Sequence, residues 1–326
     1  MNMKKLKFSV VIPLYNKGPH ISRAIRSVLS QTLQDFELIV VNDASTDNSI
    51  KEIKKFNDIR IRLLHRTQPG PGGYAARNLG TSEARSEWIA FLDADDEWDP
   101  QYLSEIELLK KKFKTAGCLC TGYKYTHPNG QFSVNEYTKH FSTRGPHLID
   151  LKKFLLATAS ALPPIHTSAV VIKKELLDKV GGFPENRCRR GGDIDTWLRI
   201  MLQTEAAWSP LIGATYYRDS VNMVTRTVPN TNIQCVYSTI KETLRNKEYK
   251  EYKRALKKFS NHYSANTILS AAKSGKLNIE LIKCYFGSVN PGFFLFSIFL
   301  WMLPKRLLYW STKLGNIFPV TSNTKK

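Results

Sequence analysis

Along the first hundred residues, short apolar runs alternate with segments in which apolar residues recur at helical spacing. The runs are rich in β-branched residues and predict buried strands at residues 8–15, 36–43, 59–65 and 88–95. One face of the helix predicted after the first strand is apolar and contains Ile21, Ala24, Ile25, Val28 and Leu29. Strands that alternate with helices across short connections predict a doubly wound, Rossmann-like α/β fold, a mostly parallel sheet flanked by helices.

After about residue 230 the pattern changes to Lys-rich helices and then to an apolar, aromatic run. The run from Phe293 to Leu303 has eleven residues, whereas a membrane-spanning helix needs about 20. It predicts either a helix at 292–312 that lies in the membrane interface or a helix that packs against the rest of the protein. We therefore expect a catalytic domain at 1–225 and a helical, basic region at 226–326.

The chain is strongly basic, with 48 Lys and Arg against 28 Asp and Glu and a net charge of +20. Residues 230–326 carry 16 of these basic and 4 of these acidic residues, which is +12 of the total. A charge of this size favours an anionic partner, either a nucleic acid, an anionic lipid surface or a phosphorylated substrate. Because the excess lies beside an aromatic helix and no nucleic-acid-binding module is recognisable, we expect a membrane surface and no nucleic acid.

The five cysteines are scattered and have no spacing typical of zinc ligands. They are expected to be ordinary thiols in a reducing compartment. Together with the expected membrane contact, a reducing compartment predicts a cytoplasmic protein that is peripheral on the inner face of the plasma membrane.

Polar residues follow the predicted strands where each strand ends. Pro13 and Tyr15 end the first strand, Asp43 ends the second, and the acidic run "DADDEWD" follows the fourth. The carboxyl ends of parallel strands meet at one edge of such a sheet, where ligands bind. The sequence therefore predicts a site at this edge.

Asp93, Asp95 and Asp96 stand within four positions of one another. Such carboxylates repel one another, and a hard divalent cation that also binds phosphate relieves this repulsion. The alternative is a solvated turn, which we prefer for Asp99 because Asp99-Pro100 is typical of a helix start. No GxxxxGK[ST] loop or GxGxxG motif is present, so a metal is expected to hold the phosphate.

Four segments together resemble the family 2 glycosyltransferases of the GT-A fold. They are "VVIPLYNKGPHISRAIRSVLSQTLQDFELIVVNDASTDNS", "GGYAARNLG", "WIAFLDADDEWDP" and "GGDIDTWLRI", within about residues 6–220. The resemblance implies transfer of a sugar from a nucleotide-diphosphate donor, expected to be a UDP-sugar, with Mn²⁺ or Mg²⁺ as cofactor. It also implies a saccharide or lipid-linked acceptor.

The resemblance assigns roles residue by residue. Its nucleotide site maps to Pro13, Tyr15, Asp43, Arg77, Asp93 and Asp95, and its metal site maps to Asp95 and Asp96. Basic residues of its loop near the diphosphate map to Arg218 and Arg226. For Arg77, a solvated helix arginine is the alternative.

The general base of the family maps to Asp193, with Asp195 as the second candidate. The chain departs from the family pattern in two places, since Asn42 replaces the first acid of a pair and Gly192 replaces a Glu. On a helix, Asp193 and Asp195 point about 200° apart, so only one of them can face the cleft. N-capping of the helix is the alternative role for Asp193.

These observations predict an inverting glycosyltransferase of bacterial surface polysaccharide synthesis. Two alternatives remain at this point. In the first, the protein is a nucleotidyltransferase that acts on a sugar phosphate. In the second, it is a non-catalytic basic protein that binds nucleic acid or membrane.

Overall fold

A computed structural model describes residues 5–127, 129–221, 223, 230–231 and 235–302. They fall into two compact units. One contains the sheet together with residues 235–242, and the other contains residues 230–231 and 243–302.

The first unit is built on one large mixed sheet. Its strands are β1 (Phe8–Leu14), β2 (Phe36–Asp43), β3 (Ile61–Arg66), β4 (Trp88–Phe91), β5 (Glu97–Trp98), β6 (Cys118–Thr126), β7 (Phe132–Val134), β8 (His147–Ile149), β9 (Val170–Lys173) and β10 (Ala206–Tyr217). Its helices are α1 (Gly18–Leu29), α2 (Ser49–Ile53), α3 (Tyr74–Ser82), α4 (Tyr102–Lys112), α5 (Glu136–Phe141), α6 (Leu151–Ala159), α7 (Lys174–Lys179), α8 (Gly192–Met201) and most of α9 (Val236–Arg245), whose last three residues belong to the second unit. The predicted α/β fold with a mostly parallel sheet is confirmed.

The strand order of the sheet is β3-β2-β1-β4-β9-β6-β10-β5. β1, β2, β3 and β4 are parallel, and so are β6 and β10. β9 lies antiparallel between β4 and β6. Six strands therefore end at one edge of the sheet, and the segment that leads into β9 reaches the same edge.

The core lies between the sheet and the helices on its faces. β1 and β2 are buried along their whole length, which agrees with the apolar runs in the sequence. Helix α1 packs its apolar stripe, including Ile21, Ile25 and Val28, into the same core. This packing fixes the strand ends from which the polar side chains project.

The second unit is helical and contains α10 (Lys253–Lys273), α11 (Ile279–Ile282) and α12 (Pro291–Met302). α12 begins at Pro291, one residue before the predicted interface helix at 292–312, and residues 303–312 of that prediction lie outside the described part. Leu300 of α12 packs beside Ala272, whereas Leu295, Phe299 and Met302 are 64%, 56% and 72% exposed. In the described part of the chain, every helix is too short or too polar to cross a membrane.

Candidate active site

The ends of β1 and β2 form the first part of the site. Asp43 is buried at the end of β2, where its carboxylate accepts hydrogen bonds from Arg66 and, at 3.0 Å, from the backbone N–H of Gly70. Tyr15, just beyond β1, is 44% exposed. Asn16 and Ala44 follow these two strands with φ of 50° and 59°, and non-glycine residues with such angles concentrate at functional sites.

Arg77 of α3 joins this region to the acidic loop. Its Nη2 donates to Asp93 Oδ1 at 2.5 Å, and its Nη1 donates to the carbonyl of Gly72 at 3.0 Å. Gly72 and Gly73 both have positive φ, which glycine adopts without steric cost. The turn brings the start of α3 against the acidic loop, so Arg77 is a buried partner of Asp93 rather than a solvated arginine.

The three predicted aspartates of the acidic loop have different surroundings. Asp95 pairs with Lys17 Nζ at 2.6 Å. Asp96 is fully buried, where Oδ2 accepts from Ser168 Oγ at 2.5 Å and Oδ1 accepts from the N–H of Tyr217 at 3.2 Å. Burial, together with the charges of Asp95 and Asp93, raises the pKa of Asp96 well above its usual range.

This arrangement bears on where a metal can bind. Among the described residues, no three His, Cys, Asp or Glu side chains are grouped so as to hold a metal ion. Mg²⁺ is commonly bound through one or two carboxylates together with substrate phosphates. The side chain of Asp93 is 29% exposed and that of Asp95 only 12%, and both fit that pattern. Asp96 has no exposed oxygen, which favours Asp95 over Asp96 as a ligand. The metal-binding role of Asp96 stays a prediction.

Helix α8 carries both candidates for the base. Asp193 is partly exposed in its first turn, where the helix dipole stabilises a carboxylate. Asp195 is fully buried and accepts from Arg199 Nε at 2.9 Å and from Thr239 Oγ1 at 2.5 Å. The two side chains therefore have separate environments, and Asp193 is the one with access to solvent.

The two arginines predicted near the diphosphate come after β10, whose last residue, Tyr217, donates its N–H to Asp96. Arg218 follows β10, and its Cζ lies 4.0 Å from the ring centroid of Tyr125 on β6. Its role near the diphosphate stays a prediction. Arg226 lies outside the described residues.

The sequence over this same sheet matches a known family. Residues 9–180, more than half of the 326-residue chain, match the family model described as Glycosyl transferase family 2. The chain belongs to glycosyltransferase family 2.

Relatives and solved structures agree with this assignment. An uncharacterized glycosyltransferase of Nostoc sp. is 37% identical over 186 residues, which are 55% of this chain and 54% of that protein. Chondroitin synthase of Pasteurella multocida is 36% identical over 134 residues, 40% of this chain and 13% of that protein. The matches thus span about half or less of these relatives. The crystal structure of S. aureus TarS 1-349 in complex with UDP-GlcNAc superposes with a TM-score of 0.69 at 16% identity, covering 96% of this chain and 93% of that chain, which shows the GT-A fold.

Gly192 of this family 2 glycosyltransferase has a structural explanation. Its N–H donates to the hydroxyl of Tyr74 at 2.8 Å. A Cβ at this position would lie 2.6 Å from Tyr74 Cζ and 2.7 Å from Pro184 Cγ. The Glu that the family has here does not fit beneath Tyr74.

Replacing Gly192 with Glu, which restores the family pattern, is therefore expected to destabilise the protein. Overpacking of this kind costs about 1–3 kcal/mol, measured as the free energy of unfolding in urea. A control at another glycine needs open space and an ordinary backbone. Gly130 has open space around its Cβ, but its φ is positive, so a Glu there would itself strain the backbone. Gln203→Glu, which introduces the same carboxylate at an exposed site just after α8, is the control. Equal stability of Gly192→Glu and Gln203→Glu would contradict the steric explanation.

Two cysteines differ from the expectation of ordinary thiols. Cys188, in the loop before α8, forms a disulfide with Cys235, which directly precedes α9. The expectation was wrong for this pair because 47 residues separate them, a distance at which sequence gives no signal of pairing. Cys118, Cys120 and Cys284 are free and buried.

Counting thiols with a chromogenic reagent tests this pairing. The unreduced, denatured protein is expected to show the three free thiols, and prior reduction adds the two from the disulfide. Cys118→Ser, which removes one thiol and leaves the disulfide intact, calibrates the count. Equal counts with and without reduction would contradict the disulfide.

Sequence reasoning also missed Ser168. Its Oγ donates to Asp96 and accepts from the N–H of Asp93 at 3.2 Å, and its carbonyl accepts from Trp98 Nε1 at 2.6 Å. It thereby fixes the acidic loop from the segment before β9. A serine 70 or more residues from its partners gives no local signal in the sequence.

Proposed function

We propose that this family 2 glycosyltransferase is an inverting, metal-dependent enzyme that transfers a sugar from a UDP-sugar to a saccharide or lipid-linked acceptor. Bacterial surface polysaccharide synthesis is the process we propose for it. The observation that carries the proposal is the meeting at one sheet edge of the buried Asp43, the Arg77–Asp93 pair and Asp95. The chondroitin synthase relative and the TarS complex with UDP-GlcNAc support a nucleotide-sugar donor.

In this proposal the first half of the sheet binds the nucleotide. Pro13 and Tyr15 line the base pocket, and Asp43 is held in place by Arg66 and Gly70 to accept from the base. Arg77 fixes Asp93 beside the ribose. A buried carboxylate held by two donors is already oriented, so little side-chain entropy is lost when the donor binds.

A divalent metal would bind to Asp95 and the donor diphosphate. When bound, it neutralises the charge that develops on the leaving nucleotide. Lys17 and Arg23 hold the same loop, since Lys17 Nζ pairs with the Asp95 carboxylate and Arg23 Nη2 donates to the Asp95 carbonyl at 2.5 Å. These two cations hold both the carboxylate and the backbone of Asp95 in place.

Asp193 would take the proton from the attacking acceptor hydroxyl. Asp193 lies in the first turn of α8 and is partly exposed, so an acceptor hydroxyl can reach it as a general base requires. Burial raises the pKa of Tyr74, and the charge of Asp193 raises it further. The two groups are therefore close, and Tyr74 stays protonated. One base and direct attack at the anomeric carbon invert its configuration.

A screen of nucleotide sugars with Mn²⁺ or Mg²⁺ tests the proposal. We expect metal-dependent release of a nucleoside diphosphate, UDP above all, from at least one donor, and its suppression by EDTA. Release of pyrophosphate from a nucleoside triphosphate and a sugar phosphate would instead support the nucleotidyltransferase alternative. Release of neither product would contradict the proposed activity.

We also propose that the enzyme acts in the cytoplasm at the inner face of the plasma membrane. The cysteines do not support this location, because Cys188 and Cys235 form a disulfide, and the support comes from α12 and the charge of its unit. Leu295, Phe299 and Met302 lie on one side of α12 at helical spacing and are exposed. Residues 243–302 carry ten Lys and Arg against three Glu, which suits an anionic lipid surface.

Replacing both Leu295 and Phe299 with Ser is expected to weaken co-sedimentation of the full chain with phosphatidylglycerol vesicles by at least about tenfold. Removing two large apolar side chains from the lipid contact forfeits about 1.5–3 kcal/mol each. Leu108→Ser, which removes an apolar side chain 59% exposed on α4, is the control. Unchanged sedimentation of the double variant would contradict the membrane contact.

A further inference from the structure

Aromatic side chains gather at the same sheet edge, near the ends of β6 and β10 rather than at the ends of β1 and β2. The rings of Tyr125 on β6, His166 before β9 and Tyr216 on β10 are partly exposed and form what we call the aromatic wall. The centroids of His166 and Tyr216 are 5.2 Å apart, and Tyr216 is the register partner of Tyr125. None of these side chains has a role in donor binding as proposed above.

The wall is held rigidly from behind by Tyr123. This buried ring stacks on His166 at 4.5 Å and meets Tyr125 edge-on at 5.7 Å. Its hydroxyl accepts from Asn135 Nδ2 at 2.9 Å. The rings are inclined to one another, at 46° between His166 and Tyr216, and the Arg218 guanidinium lies 4.0 Å from the centroid of Tyr125. Rings fixed in this way offer their exposed faces at little cost in side-chain entropy, as in pockets for organic ligands.

His166 has a defined tautomer. Its Nδ1 accepts from the N–H of Ser168 at 3.2 Å, so the neutral imidazole carries its proton on Nε2. Burial lowers the pKa of His166, and the charges of Asp93 and Asp193 oppose this shift. Nε2 makes no hydrogen bond to the described residues, which leaves it as a donor for a ligand.

His166 lies near both the acidic loop and the proposed base, Asp193. The neighbouring Ser168 binds both Asp93 and Asp96 of the acidic loop, and the charges of Asp93 and Asp193 both act on the imidazole. A sugar on the wall would therefore lie between the metal-binding loop and the base. An acceptor that is to be deprotonated by Asp193 needs this location.

We propose that the aromatic wall is the acceptor subsite, on which a pyranose ring of a saccharide acceptor stacks against Tyr125 and Tyr216 while His166 Nε2–H donates to one of its oxygens. The inference rests on the proposed function and adds the residues that select the acceptor. It makes His166 a positioning residue for the acceptor and gives it no part in donor binding.

Saturation-transfer NMR with the full chain, UDP and Mg²⁺ tests the subsite. The probes are the methyl β-glycosides of glucose, galactose, N-acetylglucosamine and glucuronic acid. At least one is expected to receive saturation at its ring C–H protons. Tyr125→Leu and Tyr216→Leu should abolish the transfer, whereas Tyr125→Phe should keep it because the ring remains.

His166 is tested by two substitutions that separate stacking from hydrogen bonding. His166→Phe keeps a ring and loses the donor, so it is expected to weaken binding of the same probe about tenfold, and His166→Gln should restore part of the loss. UDP affinity, measured on each sample by calorimetry, should not change, which also shows that each variant is folded. His140→Phe, the same substitution at an exposed histidine of α5, is the matched control.

The outcomes separate this inference from the function on which it rests. Wild-type protein that binds UDP but none of the probes would overturn the subsite. Probe binding that survives in Tyr125→Leu, Tyr216→Leu and His166→Phe would overturn it as well. Wild-type protein that does not bind UDP would contradict the proposed function itself.

Discussion

Replacing Asp193 with Asn is expected to lower the rate of sugar transfer by about 10²- to 10⁴-fold, the contribution of a general base. UDP affinity is expected to stay unchanged, because the residues proposed to bind the nucleotide lie at the ends of β1, β2 and β4. Transfer is measured as nucleoside diphosphate released in the presence of acceptor, and affinity by calorimetry. A fall in kcat without a change in UDP affinity is the signature of the base.

Two neighbouring acids provide controls for this variant. Asp178→Asn makes the same chemical change at an exposed site on α7 and is expected to leave transfer unchanged. Asp195→Asn weakens the contacts of a buried carboxylate with Arg199 and Thr239, so its main effect is expected on the free energy of unfolding. Substantial transfer by Asp193→Asn, together with loss of transfer by a stably folded Asp195→Asn, would assign the base to Asp195.

Replacing Asp95 with Asn is expected to abolish the metal dependence of UDP binding. Loss of a residue that only hydrogen-bonds a metal ligand lowers metal affinity about 10- to 100-fold. Asp95 is proposed as a direct ligand, so its loss is expected to have a larger effect. The measurement is UDP affinity with Mn²⁺ and with EDTA. In the variant the two values should be equal, whereas in the wild type Mn²⁺ should raise the affinity.

Asp96→Asn is the matched control for the metal site, since the acid is adjacent and the substitution is the same. Asn fits the surroundings of Asp96, because its Oδ1 can accept from the N–H of Tyr217 and its Nδ2 can donate to Ser168 Oγ. The metal effect on UDP binding is therefore expected to survive in Asp96→Asn. If Asp96→Asn abolishes the effect and Asp95→Asn does not, Asp96 is the ligand and the assignment proposed here is falsified.

The local sequence pattern was enough to predict much of the donor half of the fold. Buried strands give continuous apolar runs, so the strand at Phe36–Asp43 was predicted with its observed limits, and the strand predicted at 59–65 lies at Ile61–Arg66. The polar residues that follow those runs were expected at one edge because parallel strands end together. The acidic loop and Arg77 do lie at this edge, with Arg77 bound to Asp93.

Contacts between distant segments could not be predicted in this way. The antiparallel placement of β9, the attachment of Ser168 to the acidic loop and the disulfide of Cys188 with Cys235 all join residues that are far apart in sequence. The fit of Gly192 beneath Tyr74 likewise depends on α3 and α8 meeting. No periodicity or spacing within one segment carries this information.

The reversed strand β9 has a consequence for how such enzymes diversify. In the described sheet, β9 supplies the strand pairing between the β1–β4 group and the β6–β10 pair. Nucleotide recognition is proposed for the first group and acceptor recognition for the second. Substitutions of Tyr125 on β6 or Tyr216 on β10 can then change the acceptor while the ends of β1 and β2 stay as they are. Tyr217 is different, because its N–H donates to Asp96 of the acidic loop, so a change at the end of β10 affects both groups. β9 therefore separates the two groups within the sheet without making them independent.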